Sequence, residues 1–422
     1  MSQVIFGMLV TSGRITMLGL SRWTEKGGSY RTIQRFYHSV LPWGAIHWLL
    51  FWVKLMRPED EHIVAGDEVV VSKAGKETYG LDRFFSGIQQ RVIPGLSFFV
   101  FSLVNVQKEH SYPLLITQVV KSAEEKAASK SKAEAKKAKK TTEKRKPGRP
   151  KGSKNKVKQE IVLNPELVRI QSALKSLLKT VGTILSLKYV VLDGHFGNYP
   201  SAFMVRETKL HLISKMRSDA ALYPAFDGEY RGTGRPAKYG KKLDVRNLDH
   251  DKYLKATSTE KNVCTQVYQG QFYNKEFAFA LNVVIILKTN LLTLAQAHVI
   301  LFSTDLEQDY EKIIKLYSLR FQIEFNFRDA KQFWGLEDFM NVNQLPVYNA
   351  ANLAMFMVNL SQVLIRHFRP TYPSFSVIDL KAHFRGHKYV SQTLKLLPQL
   401  PEPIFIDQIY ANIAQIGSIN TS

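Results

Sequence analysis

Along the first sixty residues apolar positions recur at helical spacing, and the run LPWGAIHWLLFWVKLM (Leu41–Met56) is the most apolar in the chain. It is too short, and too interrupted by Pro42, Gly44 and His47, to cross a bilayer comfortably, so it reads as a core helix. From His62 the period changes. HIVAGDEVVVSK predicts a strand, and GLSFFVFSLVNVQ (Gly95–Gln107) predicts one or two more. Further on, PELVRIQSALKSLLKTVGTIL (Pro165–Leu185) predicts an amphipathic helix and SLKYVVLDG (Ser186–Gly194) a strand. A helix near Pro200–Thr208 and a strand over Leu210–Met216 follow. Residues 218–304 are β-rich and irregular: Gln266–Leu287 alternates like a hairpin and Ala297–Thr304 makes another strand. Helical spacing returns near Leu306 and continues through YSLRFQIEFNFRDAKQFWG (Tyr317–Gly335) and Asn349–Phe368. A mixed α/β fold is expected, with helices at both ends and no internal repeat.

One segment stands outside these patterns. Residues 121–160 hold sixteen Lys and Arg against five Glu, a net of +11, which is half of the formal +22 of the 422-residue chain. Its first half has almost no apolar face. Its second half, KRKPGRPKGSKNK, is too rich in Pro, Gly and charge to pack, and is expected to be disordered without a ligand. The overall charge points to a polyanionic partner, a nucleic acid or an acidic membrane surface. Arg149, between Pro147 and Pro150, fits an AT-hook-like insertion into a narrow minor groove. A polycation gripping phosphates through Arg145, Arg149 and Lys151 fits as well. SRWTEKGGSYRTIQRFY (Ser21–Tyr37) sets basic and aromatic residues around a Gly-Gly turn, which suits either a small DNA-binding domain or a packing domain. A single cysteine, Cys264, excludes a disulfide framework and a cysteine-based zinc site, and the chain reads as soluble and intracellular. No convincing secretory signal opens it.

The chemistry is carried by isolated acids. Asp67 and Asp193 each lie among β-branched residues at a strand, where a carboxylate is costly to desolvate without compensation. On the late helix, Tyr317, Arg320, Glu324 and Lys331 share an arc of roughly 60° at about 100° per residue. Leu319, Ile323, Phe327 and Ala330 flank this polar stripe on one side, and Phe321 and Phe325 on the other. Alone, the stripe is either a solvated edge with an Arg320–Glu324 pair or a functional face. With the two strand acids, Glu324 completes a set of three carboxylates able to hold two Mg²⁺ about 3.5–4 Å apart. His62, His195 and His211 lack metal-ligand spacing, and Glu68 is expected on the opposite face of its strand from Asp67.

The spacing Tyr-x2-Arg-x3-Glu-x6-Lys resembles the signature of DDE transposases of bacterial insertion sequences, in the IS-four-like group. GDEVVVSKAGKETYGL (Gly66–Leu81) is similar to the region of that group's first Asp, and VVLDGHFGNYP to that of its second. SKMRSDAALY and GRPAKYGKK (Gly234–Lys242) are similar to the segment that follows, so the likeness spans roughly residues 60–340. The resemblance implies a ribonuclease H-like core with a β-rich insertion, Asp67, Asp193 and Glu324 as metal ligands, and Tyr317, Arg320 and Lys331 on DNA phosphates. It further implies two Mg²⁺ ions (Mn²⁺ substituting), transposon ends and target DNA as partners, a homodimer on paired ends, and a cytoplasmic, nucleoid-associated location. The corresponding division is a helical N-terminal, DNA-binding unit over 1–58 and core over 59–120, 161–217 and 305–345. The basic insertion then occupies 121–160, the β-rich insertion 218–304, and a helical C-terminal region 346–422. The chain departs from the group at Val69, where Thr is frequent. It also has no Trp in the β-rich insertion, which leaves Tyr268, Phe272 and Tyr273 as candidate stacking residues. The competing expectation is a DNA-binding protein whose nuclease core is inactive.

Overall fold

The computed structural model describes residues 1–127, 131, 134 and 161–420, apart from 26, 88, 183, 230, 231, 233, 235 and 236. Its centre is one mixed sheet of eleven strands among the described residues. Strand β1 (His62–Ser72) lies parallel to β5 (Tyr189–Leu192), which lies parallel to β6 (His211–Met216). On the other side of β1 run β3 (Arg91–Asn105) and β4 (His110–Val119), each antiparallel to its neighbour. The order β4-β3-β1-β5-β6, three antiparallel strands followed by two parallel to the first, is the ribonuclease H-like core. Strand β2 (Asp82–Ser86) is a short addition that pairs with the first residues of β3.

The β-rich stretch continues this same sheet. β11 (Gln296–Ser303) pairs antiparallel with β6, and β10 (Ala280–Asn290) and β9 (Val263–Asn274) follow outward. The two-residue β7 (Leu222–Tyr223) and β8 (Leu254–Glu260) both pair with β9.

Period-2 alternation in β1 sends Ile63, Ala65, Asp67, Val69 and Val71 to one face and Val64, Gly66, Glu68 and Val70 to the other. The second face is covered by α5 (Pro165–Val181), whose Leu174 and Leu177 share a core with Val64, Val190 and Leu192. A Cβ on Gly66 would stand 2.8 Å from both Leu192 and Phe101, so glycine lets the neighbouring strands' side chains close over the backbone there.

On the first face the sheet meets two helices where the sequence pattern predicts one. Helix α7 (Tyr310–Leu319) ends, Arg320 and Phe321 make a tighter turn, and α8 (Gln322–Phe333) begins. The amides of Arg320, Phe321, Ile323 and Glu324 each bond to the carbonyl three residues back, so the chain stays right-handed but leaves α-helical pitch. Helical periodicity does not register such a turn, because both of its residues keep helical backbone angles. Helix α8 then stops at Gly335, whose φ of +74° is unfavourable for a side chain and where a Cβ would stand 2.5 Å from Ile15.

The terminal helices pack together. α1 (Ser2–Val10), α2 (Met17–Trp23), α3 (Tyr30–Tyr37) and α4 (Trp43–Leu50) share a buried cluster with α8, with α9 (Gln344–Phe368) and with α10 (Val377–Leu394). Trp43 is buried there and donates to Asn349 Oδ1, whereas Trp52 is 46% exposed. Helix α6 (Tyr199–Arg206) links β5 to β6, and α11 (Pro403–Ile413) closes the described chain with no buried residue of its own. Among the described residues, no helix is long and apolar enough to cross a membrane.

Candidate active site

The break between α7 and α8 lies over Asp67. Ile63 and Ala65 belong to one apolar cluster with Ile313, Leu316 and Leu319 of α7. Val69 and Val71 belong to another with Ile323, Phe327 and Ala330 of α8. Asp67, between these pairs on the strand, faces the polar seam where the two clusters part. Arg320 fills that seam: Nη1 donates to Asp67 Oδ2 at 2.7 Å and Nη2 to Glu324 Oε1 at 3.3 Å, with the Arg320 side chain 16% exposed. Glu324 sits in the first turn of α8, where the helix dipole favours a negative charge.

Asp193 enters from the end of β5. Its Oδ1 accepts from the His195 amide at 3.1 Å, opening a short 3₁₀ turn, and Ser214 Oγ donates to its carbonyl at 2.7 Å, tying the turn to β6. No hydrogen bond joins Asp193 to the other two acids, but it belongs to their electrostatic neighbourhood. Burial pushes the Asp67 carboxyl up to about 6. Arg320 and the Glu68 amide oppose this, and the negative charges of Asp193 and Glu324 add to it. Tyr317, at the end of α7, is half-buried; burial raises its hydroxyl pKa, against Arg320 and together with Asp193 and Asp67. The fold thus brings Asp67, Asp193, Glu324, Tyr317 and Arg320 into one neighbourhood.

The donor chemistry suits a hard divalent cation, since the acids offer carboxylate oxygens only. Their arrangement does not: the Arg320 guanidinium spans Asp67 and Glu324, and no three His, Cys, Asp or Glu among the described residues converge to hold one ion.

The other expected contacts divide. Lys331 lies on α8 but is engaged, its Nζ donating to the Val70 carbonyl at 2.8 Å and pairing with Glu337 at 2.9 Å. Arg145, Arg149 and Lys151 lie outside the described residues. Tyr268 and Phe272 are 2% and 1% exposed and pack in the core, so neither can stack on a base. Tyr273 is half-buried, with Lys238 Nζ 4.8 Å from its ring centre. Phe321 and Phe325 are 51% and 38% exposed and pack edge to face, contrary to their expected place on an apolar flank. Cys264 is half-buried and free.

Beyond Asp67 and Asp193, on the α5 side of the sheet, opens a cleft of about 760 Å³. His195 lines it and its Nε2 lies 3.3 Å from Glu166 Oε1, a contact that raises the imidazole pKa. Histidine spacing along the chain does not reveal this pair, because Glu166 lies on α5, far from His195 in sequence. Glu68 also lines the cleft and accepts from Ser97 Oγ, on the face opposite to Asp67's contacts as strand alternation requires.

A family model described as DDE superfamily endonuclease matches residues 1–271, nearly two thirds of the chain. The chain belongs to that family. The matched span holds Asp67 and Asp193 and ends before Glu324. Endonucleases of this family generally use divalent metal ions, and their substrate is DNA. No curated protein matches the chain.

Proposed function

We propose that this DDE-family endonuclease is an insertion-sequence transposase of the IS-four-like group, which cuts the ends of its element and joins the freed 3′-hydroxyls to target DNA. One observation carries the reading: Asp67, Asp193 and Glu324, distant in sequence, share one electrostatic neighbourhood over the interior strands β1 and β5 of a ribonuclease H-like sheet, with Arg320 bonded to Asp67 and Glu324. In this proposal the three acids would hold two Mg²⁺, with Mn²⁺ as a substitute, only once Arg320 has left Asp67 and Glu324. Such ions, if bound, would supply charge to activate the attacking oxygen and steady the leaving one.

The chain's own residues have separable tasks. Tyr317 and Arg320 present a neutral and a charged donor to the phosphates beside the acids. For Arg320 this requires release from Asp67 and Glu324. Lys331 joins by trading Glu337 for a phosphate. Lys121, Glu124 and Glu125 on one side and Asn164, Pro165 and Glu166 on the other line the same cleft. Arg145, Arg149 and Lys151, which lie outside the described residues, are proposed to grip DNA as an AT-hook or a polycation. The proposed assembly is a homodimer on paired ends, acting at the nucleoid.

The test is Mg²⁺-dependent nicking of a supercoiled plasmid carrying the element's ends, comparing the wild-type chain with Asp193→Ala. Cutting by the first and none by the second, with equal DNA binding, is expected. Equal binding without cutting by either leaves the second reading, a DNA-binding protein with an inactive core, which the Arg320 guanidinium between two of the acids favours.

A further inference from the structure

The cleft reaches well past Asp67 and Asp193, the two of the three acids that line it. It extends over the α5 face to the β2–β3 hairpin, where Arg83 and Phe85 line it. Asp67 is opposite Val100 on β3, whereas Arg83 is opposite Pro94 and Phe85 opposite Val92. Those rungs are six to eight residues apart, roughly 20–27 Å along the strand. Hence the cleft joins Asp67 and Asp193 to a distant hairpin.

That hairpin presents an unusual surface. Arg83 and Phe85 alternate with buried Phe84 and so share the outward face. Phe85 is 59% exposed and its cross-strand neighbour Val92 46% exposed. Among the described residues the Arg83 guanidinium has no ion pair or hydrogen bond. The other cations nearby are occupied: Arg169 is held by both oxygens of Glu125 at 2.9–3.0 Å, and Lys121 Nζ donates to the Arg83 carbonyl at 2.9 Å. An open aromatic ring two residues from an unpaired guanidinium, in a cleft running to an endonuclease's acids, matches the chemistry of a polyanion with exposed flat bases. A duplex offers phosphates but hides its base faces, whereas a single strand offers both.

We infer that the β2–β3 hairpin binds single-stranded DNA, Phe85 stacking on a base and Arg83 holding a neighbouring phosphate, so that the cleft carries an unpaired strand to or from the acids. This rests on the proposed reading only in taking that strand to be the reaction's substrate or product.

Fluorescence anisotropy of the full chain without divalent metal, using a labelled single strand of about 20 nucleotides and the matching duplex, tests it. Phe85→Ala should weaken single-strand binding about five- to tenfold, the lower part of the stacking range, and leave duplex binding unchanged. Phe85→Tyr should restore it, and Arg83→Ala should lower the salt slope of single-strand binding by about 0.7. Photo-crosslinking with 5-iododeoxyuridine in the strand should mark the peptide holding Arg83 and Phe85. Equal loss on both DNAs, no loss on either, or crosslinks confined to other peptides would overturn the inference. A chain that does not nick but binds single strands through Phe85 would refute the transposase reading alone. One that nicks without this dependence would refute the hairpin inference alone.

Discussion

Two shielded carboxylates in this molecule have opposite fates. At the start of α10, Asp379 is inaccessible to solvent, yet its carboxyl is pulled down to about 2. Burial alone would raise it, but the Asn420 side chain, the Ile419 amide and the Ser376 hydroxyl and amide all donate to it. Asp67, more open, is pushed up to about 6, because one guanidinium and one amide do not offset burial beside two other acids. A carboxylate with a full set of donors pins the chain's last described residues to a helix. A carboxylate left short of donors, among like charges, is what a cation-binding or catalytic centre requires.

The largest effect that would sharpen this contrast lies in activity. Asp193→Ala and Glu324→Gln should lower Mg²⁺-dependent nicking by on the order of 10²–10³-fold or more while hardly moving the melting temperature. If either variant unfolds the chain instead, the acids are structural and the contrast fails. Next comes Asp379→Ala, which strips five donating groups of their acceptor. It should cost about 2–3 kcal/mol in urea denaturation without altering nicking in conditions where the variant stays folded.

The pH dependence of stability should then have opposite signs at the two sites. Asp379, with its folded pKa below the ordinary 3.8, contributes stability that is present above that value and lost as pH falls toward about 2. Asp67, with its folded pKa above 3.8, imposes a cost that is absent below about 4 and complete above about 6. Melting curves of Asp67→Asn should therefore gain on the wild type between pH 4 and 6, and those of Asp379→Asn should lose on it as pH rises from 2 to 4. Parallel curves would break the comparison. The smallest effect concerns Arg320. If its guanidinium competes with cations for Asp67 and Glu324, Arg320→Gln should bind Mn²⁺ a few-fold more tightly by calorimetry. Weaker binding would instead make Arg320 an organiser of the ligand set.

Much of the frame was legible along the chain. The alternation through His62–Ser72 and the apolar run Tyr189–Leu192 correspond to β1 and β5, with Asp67 and Asp193 where the pattern sets them. The helix from Pro165 and the strand at His211 lie where periodicity marks them. The break at Arg320–Phe321 was not legible, nor was the exposure of Phe321 and Phe325, since a tight right-handed turn preserves apolar spacing while redirecting the side chains. The burial of Tyr268 and Phe272 was equally hidden, because an aromatic residue in an alternating strand reads the same whether its face is covered or open.

What the sequence determined alone is local: which segments alternate with period two or 3.6, where acids interrupt apolar runs, and that a basic segment is set into the chain. Those properties depend on neighbours a few residues away. Whether an acid finds donors depends on groups that folding imports from elsewhere, from Asn420 to Asp379 and from Arg320 to Asp67. Only the tertiary structure decided that one carboxylate is satisfied and the other is not, because desolvation and charge act through space rather than along the backbone.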